Sequence, residues 1–238
     1  MEEKLSGIVL GGVNFSENDK ILWIFTLEQG VVSAKIKGVK KAGAKLKFAS
    51  EPFCFAEFIF SKNAEKRTVI GASLIDSFYP IRSDINKYYS GMVVLEFLKR
   101  FEPENVVSKE AFLLAINTLK SLAYSDENSS VLLVKFLVSA LKEVGYAIDY
   151  SLCRGCGCEI QSRVFFDYNF GGFFCEECAP ENSRLVKFTT FSGLKSIMEN
   201  DEIDEENVKS VLHLIKFYIE NKAEEKLNSL SQLIDILN

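Results

Sequence analysis

Histidine is nearly absent, proline is scarce, and no apolar run approaches the roughly 18–20 residues of a membrane span. Four prolines, 47% hydrophobic and 12% aromatic residues exclude a chain governed by disorder or low complexity. The start, Met1-Glu-Glu-Lys-Leu-Ser, lacks the basic and apolar regions of a secretory signal, so a soluble, cytoplasmic protein with no membrane partner is expected. The lone histidine, His213, lies between Leu212 and Leu214 with no serine or cysteine nucleophile nearby, which leaves a catalytic triad without support. Gly38-Val-Lys-Lys-Ala-Gly43-Ala44-Lys45-Leu46 approaches a phosphate-binding loop, but its lysine is displaced by one and Leu46 cannot ligate Mg²⁺. The acidic clusters Asp201-Glu202 and Asp204-Glu205-Glu206 sit at a helix start, where the dipole favours negative charge. No enzyme is expected.

What is present has two textures. With 238 residues the chain exceeds the common single-domain size of about 100–200, so one large domain or two are both ordinary. From Leu5 to Asp76 apolar residues recur with period two, as where Val32, Ala34 and Ile36 alternate with Ser33, Lys35 and Lys37. Five strands are predicted, at Leu5–Leu10, Ile21–Glu28, Val31–Val39, Pro52–Ser61 and Thr68–Ile75. Their number and shortness imply a small closed barrel such as an OB-fold. After Pro80 the period becomes helical, with helices predicted over Asp84–Phe101, Lys109–Tyr124, Ser129 to Val144, a short stretch near Phe191–Glu199, Asp204–Lys222 and Glu224–Leu237. The expected fold class is α+β: an N-terminal five-stranded OB-fold barrel over residues 1–80, then an α-helical domain over 81–238. An inserted zinc ribbon-like module is expected at about 150–182.

That module rests on Cys153-Arg-Gly-Cys156 and Cys175-Glu-Glu-Cys178, two C-x₂-C pairs separated by eighteen residues. Each pair bends into a turn whose thiolates share a metal, and two pairs at this separation complete a tetrahedral sulfur site. Four sulfur ligands leave no position for water, so one Zn²⁺ in a structural role is expected. Phe165 to Tyr168 and Gly171 to Phe174 read as the hairpin that presents the second pair. Cys158 crowds the first pair, and Cys54 reads as small core filler. Reduced thiols without metal are the alternative.

Charge is unevenly placed. The net charge is −5, yet residues 1–80 carry eleven Lys/Arg against nine Asp/Glu, whereas 191–238 carry five against ten. Between Val31 and Ser50 stand Lys35, Lys37, Lys40, Lys41, Lys45 and Lys47 without one acidic residue. A surface of one sign can track a phosphate backbone with counterion release, and Trp23 and Phe25 are candidates to stack on bases. The alternatives are a solvated lysine face and two aromatic core residues.

The order of barrel, helices, cysteine insertion and helices resembles the RecO family of DNA repair and recombination mediators. The resemblance spans essentially the whole chain. It is carried by Glu17-Asn-Asp-Lys-Ile-Leu-Trp-Ile-Phe-Thr, Glu28-Gln-Gly-Val-Val-Ser-Ala-Lys-Ile-Lys-Gly-Val-Lys-Lys, Leu152-Cys-Arg-Gly-Cys-Gly and Lys226-Leu-Asn-Ser-Leu. It implies binding and annealing of single-stranded DNA, and help in loading the RecA recombinase onto DNA covered by single-stranded-DNA-binding protein. RecR and that protein's acidic tail are the implied partners. By position it assigns Lys35–Lys47 to DNA and Cys153, Cys156, Cys175 and Cys178 to zinc. A competing reading is a protein-interaction adaptor that keeps the structural zinc site and does not bind DNA.

Overall fold

The computed structural model describes residues 2–63 and 66–237. The chain forms two compact units, Met1–Ser125 and Asp126–Asn238.

The first unit begins with β1 (Glu2–Asn14), β2 (Lys20–Thr26), β3 (Gly30–Ile36), β4 (Phe55–Asn63) and β5 (Lys66–Asp76). Neighbours run β1-β2-β3-β5-β4, and β4 returns to pair with β1. Their inward residues, among them Leu5, Val9, Leu22, Ile24, Val32, Ile36, Phe58 and Phe60, form one buried cluster. Burying each such side chain contributes about 1.5–3 kcal/mol, which is what fixes the register. Cys54 lies in this cluster as filler, and burial pushes its thiol up to about 12.

Two expectations about fold class are corrected. An OB-fold barrel sealed all round by strand pairing is not what forms. β3 and β5 run parallel and meet at only three register pairs, Ala34 with Arg67, Lys35 with Thr68 and Ile36 with Val69. The overlap is short because β3 ends where β5 has only begun: Gly38, at φ 66°, turns the chain away before it can follow β5. Further back along β3, Val31 pairs instead with Glu104, and its carbonyl accepts from the Asn105 N–H at 2.9 Å. Along β5, Ile70, Leu74 and Ile75 are left exposed.

The second correction concerns the helices. α1 (Ile85–Phe101) and α2 (Lys109–Tyr124) belong with the strands in the first unit and do not join a single bundle. Asp84 caps α1 by accepting from the Lys87 N–H at 2.8 Å. α2 lays Phe112 edge-on against Phe25 and Phe55 of the strands. Gly91 of α1 admits the Phe53 ring, since a Cβ there would stand 2.8 Å from it.

The second unit is mixed and not purely helical. α3 (Ser129–Glu143) is capped by Asn128, whose side chain accepts from the N–H groups of Ser130 and Val131. Gly145 follows its end at φ 85°. Then comes a three-stranded sheet of β6 (Val164–Asp167), β7 (Gly172–Cys175) and β8 (Arg184–Val186), in the order β7-β6-β8. α4 (Phe188–Glu199), α5 (Glu205–Lys222) and α6 (Asn228–Leu237) finish the chain. The sheet is held to these helices by aromatic pairs, Phe173 with Phe191 and Phe166 with Tyr218. Among the described residues no helix is long and apolar enough to cross a membrane.

Candidate metal centre and basic face

The β6–β7 hairpin is built around its turn. The Asp167 carboxylate, almost fully buried, accepts from the N–H groups of Asn169 and Phe170 at 2.8 and 2.9 Å. Gly171 closes the turn at φ 65°, where a Cβ would stand 2.5 Å from the Tyr218 hydroxyl. So anchored, β7 delivers Cys175 at its end, and a tight turn joins the Cys178 N–H to the Cys175 carbonyl at 3.2 Å. The segment ahead of the hairpin is fastened to β7 through the Arg154 N–H and the Phe173 carbonyl at 2.9 Å. It curls back at Gly157, which sits at φ 73° and donates to the Cys153 carbonyl at 2.8 Å.

These two turns bring the sulfurs of Cys153, Cys156, Cys175 and Cys178 within 4.8 Å of one another, a cluster that could hold a metal ion. Cys153 Sγ lies 3.6 Å from Cys175 Sγ, and Cys156 Sγ lies 3.9 Å from the same atom. Four sulfurs each about 2.3 Å from a central ion stand about 3.8 Å apart, so the donor set matches a tetrahedral thiolate site. Gly155 makes the closeness possible: a Cβ there would meet Cys178 Cβ at 2.6 Å and its Sγ at 3.0 Å. Cys158 stands outside the four-sulfur set, although its thiol reaches Cys156.

The backbone prepares this site for negative sulfur. Burial pushes the Cys153 thiol up, but the N–H groups of Cys175, Cys156 and Gly155 outweigh it and bring it to about 6. Cys156 is also lowered, chiefly by the Cys158 N–H. Cys178 is pushed up to about 12, first through its hydrogen bond with Cys156. A divalent ion at the centre of the four sulfurs would favour thiolate on all of them.

In the first unit, the six lysines fall into different situations. β3 stops at Ile36 and the chain continues as successive tight turns, with Lys41 N–H to Gly38 O, Ala44 N–H to Lys41 O and Lys47 N–H to Ala44 O at 3.1–3.2 Å. Leu46 and Phe48 pack against the strand core, which turns Lys45 and Lys47 outward. Lys37, Lys40, Lys41, Lys45 and Lys47 are exposed, and among the described residues none of the five forms an ion pair. Lys35 differs. Its ammonium is 2.8 Å from the Asp19 carboxylate and 4.5 Å from the centre of the Phe15 ring. The Lys35 hydrogen bond, then the Gly38 N–H, holds the Asp19 carboxyl down at about 2.

Neither aromatic singled out in β2 offers a free ring. Phe25 is fully buried against Phe112. Trp23 is half-buried, and the Lys99 ammonium from α1 lies 3.6 Å from its ring centre. The period-two pattern failed here because α1 and α2 cover the outer face of β2, so both faces of that strand are shielded. The aromatic that stands in the open beside the lysines is Phe15, 57% exposed in the turn between β1 and β2. Its sequence context, Asn14-Phe15-Ser16-Glu17-Asn18-Asp19, reads as a polar turn, in which a phenylalanine has no core to serve.

Comparison with known proteins covers nearly the whole chain. Residues 1–78 match the family model described as "Recombination protein O N terminal", and residues 82–231 match "Recombination protein O C terminal". The chain is 29% identical over 236 residues to the DNA repair protein RecO of Desulforamulus reducens, covering 95% of this chain and 91% of the relative. It is 28% identical over 186 residues to the RecO of Acetivibrio thermocellus, covering 78% and 74%. The RecO of Clostridium perfringens is 25% identical, with 95% of each chain covered.

Proposed function

The chain belongs to the Recombination protein O family, and from that premise we propose how its own residues serve single-stranded DNA. It is a recombination mediator of DNA repair that anneals single strands and catalyses no covalent chemistry. Residues 1–80 carry the DNA contact, α1 and α2 pack with them in the first unit, and the metal module lies in the second unit at about 150–182. The observation behind this assignment is the row of ammonium groups at Lys37, Lys40, Lys41, Lys45 and Lys47, all exposed on one short segment and without an ion pair among the described residues. Lys35 contributes from beneath, as a positioning group bound to Asp19. Each phosphate neutralised on a single strand adds about −0.7 to the slope of log affinity against log salt.

Cys153, Cys156, Cys175 and Cys178 hold one structural Zn²⁺. When bound, the ion cross-links two turns that share only a few backbone hydrogen bonds, and all four positions are filled by sulfur. Partners beyond single-stranded DNA are RecR and single-stranded-DNA-binding protein, with RecA engaged indirectly once DNA has been handed over. The net charge of −5 opposes tight binding to a polyanion, so affinity for DNA is modest in the isolated protein and rises with RecR.

The test is fluorescence anisotropy of a labelled single-stranded oligonucleotide, titrated with zinc-loaded protein at two salt concentrations. Binding that weakens steeply with salt, and is lost when Lys37, Lys40 and Lys41 are together replaced by glutamate, supports the reading. Salt-insensitive binding, or a triple variant that binds as the wild type does, overturns it. Absence of binding with and without RecR leaves the adaptor reading standing.

A further inference from the structure

We propose that Phe15 is the base-stacking platform of this protein, and that bases enter the groove beside it while the phosphates stay on the lysines outside. The inference rests on the single-stranded-DNA reading above and assigns to it a residue and a strand orientation.

The groove lies between the β1–β2 turn and the start of the basic segment. It is a shallow, open groove of about 550 Å³, lined by Ser16, Glu17, Asn18, Asp19, Lys37, Gly38 and Lys41. Its two walls are tied together. The Lys40 N–H donates to the Asn18 carbonyl at 3.1 Å, and the Gly38 N–H donates to Asp19 Oδ1 at 2.8 Å. Within the turn, the Phe15 N–H donates to the Asp19 carbonyl at 3.0 Å. The ring is therefore mounted on a hydrogen-bonded frame, and ordering it on binding costs little entropy.

Charge decides which part of a nucleotide belongs in the groove. The lining holds the carboxylates of Glu17 and Asp19 and the ammoniums of Lys37 and Lys41, and with Lys35 on Asp19 the groove keeps a balance of one positive charge, weaker than the open lysine row. Lys35 neutralises Asp19 directly and spends its charge there. Lys40, Lys45 and Lys47 of the same segment are exposed and stand outside the groove's lining. A polyanion is drawn to those lysines, whereas a neutral base meets the polar lining and, at its edge next to Ser16, the exposed ring of Phe15. The Lys35 ammonium, 4.5 Å from the ring centre, makes a cation–π contact with one side of the ring. Leaving more than half of a phenylalanine side chain exposed in a polar turn forgoes hydrophobic free energy that a bound base would recover. Stacking on any base fits a protein that must accept any sequence.

The experiment compares the full-length, zinc-loaded wild type with Phe15→Ala and Phe15→Tyr on two labelled ligands: an oligothymidine and an abasic oligonucleotide of the same length. On oligothymidine, Phe15→Ala should weaken binding about tenfold, at the lower part of the range for loss of one stacked base. Phe15→Tyr should retain wild-type affinity, and on the abasic strand all three should bind alike. A Phe15→Ala variant that binds oligothymidine like the wild type overturns the proposal. So does one that loses equal affinity for both ligands, because the ring would then act through the lysine frame and not through bases. If the wild type binds neither ligand, the DNA reading and this inference fall together; if it binds both and Phe15→Ala changes nothing, the inference alone falls.

Discussion

The cysteine cluster and the lysine segment are both read from clusters of one residue type, but they specify structure to different degrees. A metal centre needs four atoms at fixed separations, and the two C-x₂-C turns already bring sulfurs to 3.6–3.9 Å of one another. A phosphate-binding face needs only charge within a screening length of about 10 Å, so many arrangements of lysines would serve. The first site tolerates almost no displacement and is correspondingly built in, with Gly155 excluded from having a side chain by the Cys178 contact. The second is adjusted by its neighbours, as the capture of Lys35 by Asp19 shows.

The sharpest way to test that difference is to remove one member from each. Cys175→Ala should abolish stoichiometric zinc binding and forfeit much of the roughly 10 kcal/mol that a structural zinc can supply. Elemental analysis together with thermal unfolding would show a lost early transition from the β6–β8 module. Replacing Lys37, Lys40 and Lys41 with glutamate should lower affinity for single-stranded DNA about a hundredfold at low salt and flatten the salt slope by about 2. Its melting temperature should remain near that of the wild type, because these side chains are exposed. If instead the triple variant unfolds while Cys175→Ala does not, the comparison is reversed.

A smaller effect is expected at Gly155→Ala, where the new Cβ would crowd Cys178 at 2.6 Å. Zinc should still bind, with affinity reduced about tenfold or more, as measured by competition with a chromogenic chelator. The smallest effect is a gain. Asp19→Asn releases Lys35 and removes one negative charge from the groove, so affinity for single strands should rise by about two- to fivefold at low salt and converge with the wild type at high salt. The same clasp gives a pH signature of known sign. Since the Asp19 carboxyl is depressed to about 2 when folded, its contribution is present above about pH 4 and is lost as pH falls toward 2. Acid titration of the Asp19 carboxyl by NMR checks this.

Much of the secondary structure was legible because its signals are local. Helix α3 ends one residue before the position expected, at a glycine with positive φ, and α5 starts behind the Asp204 cap. α6 is four residues shorter at its start than its apolar pattern implied, since Glu224 takes a left-handed turn first. Strand β1, by contrast, extends to both sides of the expected Leu5–Leu10, because β2 and β4 supply partners beyond its apolar stretch. Where α1 and α2 rest could not be read from their own pattern: an apolar stripe says that a helix is covered, not by which element.

The site divides along the same line. The sequence alone determined which four sulfurs cluster, since a turn of two intervening residues leaves two thiols little choice but to converge. It also determined that a basic segment follows β3, since charge count needs no geometry. Only the tertiary structure decided which aromatic is available, burying Phe25 under α2, capping Trp23 with Lys99 and leaving Phe15 in the open. It alone decided that Lys35 serves Asp19 and that β3 and β5 meet through only three residue pairs. The physical reason is range: turns and capping act within a few residues, whereas exposure is set by whatever distant segment comes to lie on top.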